Sequence, residues 1–395
     1  MLGIGCLVLI AMLPGLRAVQ WWLSIPVLLV CCASALVVLG GGIVLLREQR
    51  RAVGAPDLFL QLNRRCFEPR LARTSGPRGL AWLRLGSGLK VGDQVEVRSL
   101  ADIRATLDAD GCLDGLPFQT EMAAFCGRRF VVYRVVDKIY DYRRTSKLRR
   151  VKRAVALAAV RCSGADHGGC QAQCSLIWKE DWVRRVEQAL PVRADSVPAV
   201  DQGQVVAQVA TPGVTPVYRC QLTQLHAASS PLSAWDVRQD LRSLFAGNVT
   251  VPAFCVALLT QIFMAAQVWR GGVPYPPLQR GTQARTPGGI GQLAVGQRVR
   301  VADLEAITAT LDPTGRNRGL WFDRELVRHC GKDYRVTTRI ERLIDVLTGE
   351  VLQPKTPSFI LEDVTASGEF LRNCPQHEYN FWRELWLKSE PPKAQ

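Results

Sequence analysis

The longest uninterrupted apolar pattern lies at the amino end, where residues 1–46 carry one charged side chain, Arg17. From Trp21 and Trp22 to Leu46 (WWLSIPVLLVCCASALVVLGGGIVLL) no charge occurs. About 20 helical residues suffice to cross a bilayer core. The pattern therefore predicts a membrane anchor over 1–46, with residues 2–16 as a short first span or a re-entrant segment. The tryptophan pair suits one interface, and Arg47, Arg50 and Arg51 suit the other. By the positive-inside rule this puts the C-terminal body in the cytoplasm. A cleaved signal peptide fits less well, because a charged leader is missing and the apolar stretch is too long. The expected location is the cell membrane, with membrane lipid as a partner.

Beyond a basic juxtamembrane segment (47–87) the pattern shortens to strand length. VGDQVEVRS places Val95 and Val97 in alternation after a Gly-Asp turn. Leu100 to Leu107 reads as a short helix with Ser99 at its N-cap, a place taken by Asp303 further on. LDADG and LDPTG read as turns. FVVYRVV, YRVTTRI, AVALAAVRC and SFILEDVT read as strands. These elements come in pairs because the chain repeats itself. The segment from Gly88 (GLKVGDQVEV…FCGRRF) aligns with that from Gln292 (QLAVGQRVRV…HCGKDY) at a constant offset of 204. The register holds through Cys126/Cys330, Cys170/Cys374, Trp178/Trp382 and Trp182/Trp386.

The expected organisation is a first repeat (88–186), an intermediate region (187–270), a Pro/Gly linker (271–291) and a second repeat (292–390). In the intermediate region YRCQLTQLHAASSPLSAWDVRQDLRSLFAGN suggests a strand, a turn and a helix from about Ser233 to Phe245. VPAFCVALLTQIFMAAQVW (251–269) is an apolar helix that Gln261 and Gln267 suit to a core or membrane surface better than to a crossing. The fold class expected is membrane-anchored and mainly β with some α: two duplicated SH3-like or small α+β domains separated by a mixed helical region.

The sharpest chemical feature is RCSGADHGGCQAQC, with Cys162, His167, Cys170 and Cys174. Together with Cys126 of FCGRRF they make four thiolates, a set for structural zinc or an iron–sulfur cluster. His167 replaces one sulfur or supports a thiolate from outside. Thirteen cysteines facing a reducing compartment are expected as thiols or metal ligands rather than disulfides. The competing account is that some are small apolar core residues. The second copy has Ala366, Leu371 and Glu378 where the first has Cys162, His167 and Cys174, and so reads as degenerate. Glu121/Glu325 and Asp141/Asp345 recur, and capping or turn bonding explains them. Trp178 and Trp182, four apart, are placed on one helical face as packing residues.

The GxxVGDxVEV opening resembles the first strand of SH3-like or KOW-type barrels. CGRRF, RCSGADHGGCQAQC and WKEDW in combination resemble a bacterial family, a likeness that implies no particular activity.

Charge adds a surface to this picture. Fifty Lys and Arg against 35 Asp and Glu give a net +15, and 48% apolar content excludes wholesale disorder. The run YRRTSKLRRVKR, Tyr142 to Arg153, has a nearly uncharged counterpart in the second repeat. Its expected partners are an anionic membrane surface, a protein, or nucleic acid. No phosphate-binding glycine loop and no HExxH motif is present. The expected function is a membrane-associated accessory or scaffold protein with a Cys-ligated structural or redox metal centre. The alternatives are a metal- or thiol-dependent biosynthetic enzyme and a nucleic-acid-binding module.

Overall fold

A computed structural model describes residues 88–186, 216–233, 236, 238–271, 277–289 and 291–389. Each repeat builds a five-stranded antiparallel sheet, and both sheets have the same strand order. In the first the order runs Ser175–Lys179, Ala154–Arg161, Arg129–Val135, Gln94–Val97, Val183–Arg185. In the second it runs Tyr379–Trp382, Ser358–Thr365, Asp333–Ile340, Arg298–Val301, Leu387–Ser389. The offset of 204 survives into the hydrogen-bond register, since Gln94 opposes Val131 and Arg298 opposes Arg335. It even fixes the irregularities. Register shifts fall between Val132 and Arg134 and between Ala156 and Arg161, then again at Val336/Thr338 and Ile360/Thr365. Bulges bend a strand and raise its twist, and these curl each sheet into a half-barrel.

Alternation then fills the concave side. Val95, Val97, Val132, Val155, Trp178 and Trp182 are at most 3% exposed, and so are Val299, Val301, Val336, Phe359, Trp382 and Trp386. The tryptophans do not share a helical face. Trp178 lies within the strand Ser175–Lys179 and Trp182 ends the 3-10 turn Glu180–Trp182, which brings both indoles into one core. The short helix is confirmed over Leu100–Arg104, with Ser99 Oγ accepting from Asp102 N at 3.1 Å. Asp303 occupies the equivalent cap position without a side-chain bond.

The repeats meet through reciprocal contacts. Arg134 Nη2 donates to His377 Nε2 at 2.8 Å, and Gln173 Nε2 donates to Thr338 Oγ1 at 2.9 Å. Residues 134 and 338 are equivalent, as are 173 and 377, so the arrangement has the i-to-j, j-to-i pattern of a two-fold interface. The intermediate region is laced into this assembly. Asn248 accepts from Val135 N (2.9 Å) and donates to Val135 O (2.8 Å), and Gln221 treats Ile177 the same way (2.8 Å each). Asn248→Ala should leave both buried groups of Val135 unpaired and cost about 2 kcal/mol. A urea-unfolding midpoint unchanged from wild type would refute that role.

The intermediate region carries a helical turn at Gln221–Gln224, a short strand at Ser229–Pro231 and a helix at Arg238–Phe245. The expected membrane-anchored fold class, with its transmembrane helix and its cell-membrane location, is not supported: no helix among the described residues is long and apolar enough to cross a membrane. The helix Val251–Trp269 buries Ala253, Ala257 and Thr260, and Gln261 donates to the carbonyl of Glu369 in the second repeat. It is a packed element of the body. The apolar segment 1–46 and the basic segment 47–87, from which the anchor was read, lie outside the described residues. What the described chain shows is a mainly β protein with two similar half-barrel sheets and few helices.

Candidate metal centre

The motif loop leaves the strand Ala154–Arg161 and returns at Ser175–Lys179. Cys162 N donates to Cys174 O at 2.9 Å and closes its base. Inside, His167 N and Gly169 N both donate to Gly164 O. Gly164 has φ +73°, and a Cβ there would stand 1.8 Å from Cys170 O, so only glycine fits. Gly368 is held against Cys374 O in the same way, at 2.2 Å. This glycine therefore serves the loop in both repeats, whether or not sulfur and imidazole are nearby.

The loop is pinned from outside by a glutamate from the 3-10 turn Thr120–Phe125. Glu121 Oε2 accepts from both Ser163 N and Ser163 Oγ at 2.7 Å. Its other oxygen, Oε1, is buried with no hydrogen-bond partner. One carboxylate oxygen of Glu121, the Cys162 sulfur and a ring nitrogen of His167 lie within 4.8 Å of one another. Cys162 Sγ is 3.8 Å from His167 Nδ1. A tetrahedral zinc with bonds of about 2.3 Å to sulfur and about 2.0 Å to nitrogen has an S–N edge of about 3.6 Å. The spacing matches.

His167 is 3% exposed, and burial lowers its pKa despite the opposing pull of Glu121 and Asp166. The neutral imidazole is the form that binds metal. Its Nε2 lies 2.5 Å from Gln119 Nε2. As placed, the amide donates and Nδ1 keeps its proton. With the amide turned over, Nε2–H donates to the Gln119 oxygen and Nδ1 is free to ligate, the outer-shell support common in metal sites. Burial, and then the Glu121 carboxylate, raise the Cys162 pKa.

The second repeat supplies an internal control. Glu325 holds the equivalent loop, but both of its oxygens are engaged: Oε2 accepts from Ser367 N at 2.8 Å, and Oε1 from Gly368 N at 3.0 Å and Ser367 Oγ at 3.2 Å. Ala366 and Leu371 stand where the first repeat has Cys162 and His167. A free carboxylate oxygen thus occurs in the copy that also has the thiol and the imidazole.

Of the five residues singled out by sequence, Cys162 and His167 converge. Cys170 and Cys174 belong to the same loop, and with Cys162 and Cys220 they are close enough to influence the Cys174 thiol, whose pKa rises chiefly through burial. They are not within the close donor group. Cys126 caps the Thr120–Phe125 turn and packs against the first core, and burial raises its pKa. The recurrence of Glu121 fits capping or turn bonding at least as well as acid–base work, and only the replacement of Cys162 and His167 by Ala366 and Leu371 sets the two copies apart. The nine cysteines among the described residues are free thiols.

The basic run is only partly a surface. Arg149 is buried and bonds His226 O (3.0 Å) and Ser229 O (2.6 Å), Arg150 pairs with Asp236 at 2.6 Å, and Arg153 reaches Glu180 and Asp181. Arg143, Arg144, Lys147 and Lys152 remain exposed. No known protein family matches the chain, and no curated protein is recognisably similar to it.

Proposed function

We propose that the protein is a metal-binding accessory or scaffold protein. Its first repeat holds one zinc-type divalent ion through the Glu121 carboxylate, Cys162 Sγ and His167 Nδ1, and its second repeat is a ligand-free structural partner. The observation that carries this reading is a buried carboxylate with one unpaired oxygen, in a close donor group with the thiol and the imidazole. A mixed sulfur, nitrogen and oxygen set suits zinc, whereas one thiolate does not make an iron–sulfur ligand set. Three protein donors leave a fourth position, the arrangement that metal-dependent enzymes use, and this keeps an enzymatic role as the second reading.

Titration with zinc or cobalt(II) against a chromophoric competitor tests the proposal. One ion should bind per chain. Cys162→Ser and Glu121→Gln should each weaken binding by more than the roughly 10–100-fold cost of losing an outer-shell partner, while Cys126→Ser should leave it unchanged. Stoichiometric binding that ignores both ligand variants, or no binding by folded wild type, would overturn it.

A further inference from the structure

The reciprocal contact between the repeats is not filled. Between the two sheets and the intermediate region lies a cavity of about 290 Å³. Equivalent positions line it from both sides: Ile139 with Leu343, Ala172 with Gln376, Cys174 with Glu378. Leu222 and Leu225 of the intermediate region close a third side. The first repeat contributes the smaller members, Ala172 and Cys174, which is where the room comes from.

The walls are mainly apolar, and Glu378 brings a carboxylate into them. Its Oε2 accepts from Ser175 N at 3.2 Å and lies 3.9 Å from Arg161 Nη1. No described residue donates to Oε1. Burial pushes the Glu378 carboxyl up to about 7 against the pull of Arg161, so a cation entering the cavity gains little from it. Arg143 and Arg144 on the lining outnumber Asp141, which is already bonded to His226. A neutral donor, by contrast, gains a direct bond to Oε1 without displacing any described protein donor. Tyr140, Tyr379 and Phe381 offer aromatic walls. An apolar cavity of about 150 Å³ holds benzene, so this one has room for a fused bicyclic ring.

We propose that this cavity binds a small neutral aromatic compound carrying one N–H or O–H donor, which it directs at Glu378 Oε1. The site shares the motif loop with the Glu121–Cys162–His167 centre through Cys174, whose carbonyl accepts from Cys162 N, but it uses none of that centre's donor atoms.

Indole and indene are the test pair, since they share a shape and indole adds a ring N–H that can only donate. Calorimetric or ligand-observed NMR titration of the full chain should show one saturable indole site, about tenfold tighter than indene. In Glu378→Gln the amide carbonyl serves Ser175 N and its NH2 faces the ligand, so the preference for indole should vanish. Ala172→Leu, which fills the space, should abolish binding of both. Failure of folded wild type to bind indole saturably would overturn the proposal, as would equal affinity for indole and indene. Should Ala172→Leu not fold, the Glu378→Gln ratio decides alone: a preference kept in that variant refutes the assignment.

Discussion

Replacing Trp182 by alanine is expected to destabilise the protein by about 3–5 kcal/mol, the usual cost of emptying a buried aromatic site. The indole is fully buried, packs edge-on against Phe118 at 5.3 Å, and donates from Nε1 to Thr106 Oγ1 at 3.0 Å. The second repeat reproduces each part. Trp386 is fully buried, meets Phe322 at 5.2 Å, and donates to Thr310 Oγ1 at 3.0 Å. Trp386→Ala should therefore cost a similar amount. The neighbouring pair behaves differently, because Trp178 and Trp382 are equally buried but their Nε1 atoms have no partner. Trp178→Phe surrenders no hydrogen bond, so it should be milder than Trp182→Phe by about 1 kcal/mol. Denaturant unfolding of the four variants measures this. Equal losses for the two phenylalanine variants would show that the indole-to-threonine bond contributes nothing.

The second large effect is a dependence of stability on pH. Glu325 is 5% exposed, and its pKa is pushed up to about 7, first by burial and then by Asp323 and Glu369, against the pull of Arg328 and the Ser367 amide. In the unfolded chain the same carboxyl titrates near 4.5. Between those values the folded protein keeps a proton that the unfolded chain has released. Raising the pH through this window therefore favours unfolding, and the penalty is complete above about 7. Integrated, it amounts to about 3 kcal/mol. Glu325→Gln carries a fixed neutral group, so its stability relative to wild type should rise by about that amount from pH 4.5 to 8. Urea midpoints for both proteins across that range give the answer. A difference independent of pH would mean that the loop amides keep Glu325 ionised throughout.

Much of the repeat architecture was legible in the sequence because each half carries its own periodic signal. Valine alternation, turn glycines and paired tryptophans are local patterns, and the fixed offset made every strand visible twice. The intermediate region was less legible. The helical turn Gln221–Gln224 has no local signal of its own, because the side-chain bonds of Gln221 exist only once strand Ser175–Lys179 is beside it. The candidate centre was half legible. Cys162 and His167 sit five apart in a glycine-rich loop, whereas Glu121 joins them from 41 residues away through a hydrogen bond to Ser163. Cys126 lies outside the close donor group. It recurs with the repeat, yet recurrence follows from its place beside the core. The cavity was not legible at all, because Cys174 and Glu378 become neighbours only when one half docks on the other.

That docking has a consequence for how such a chain can change. In a pair of identical subunits, any substitution at the contact appears twice, and both appearances must be tolerated together. Covalent joining removes that constraint. Arg134 against His377 and Gln173 against Thr338 are the same pair of places filled by different residues, each able to drift alone while bulges and buried tryptophans, which each half needs for itself, stay fixed. Chemistry can then settle on one side, with the sister half relieved of it and left to hold the shape.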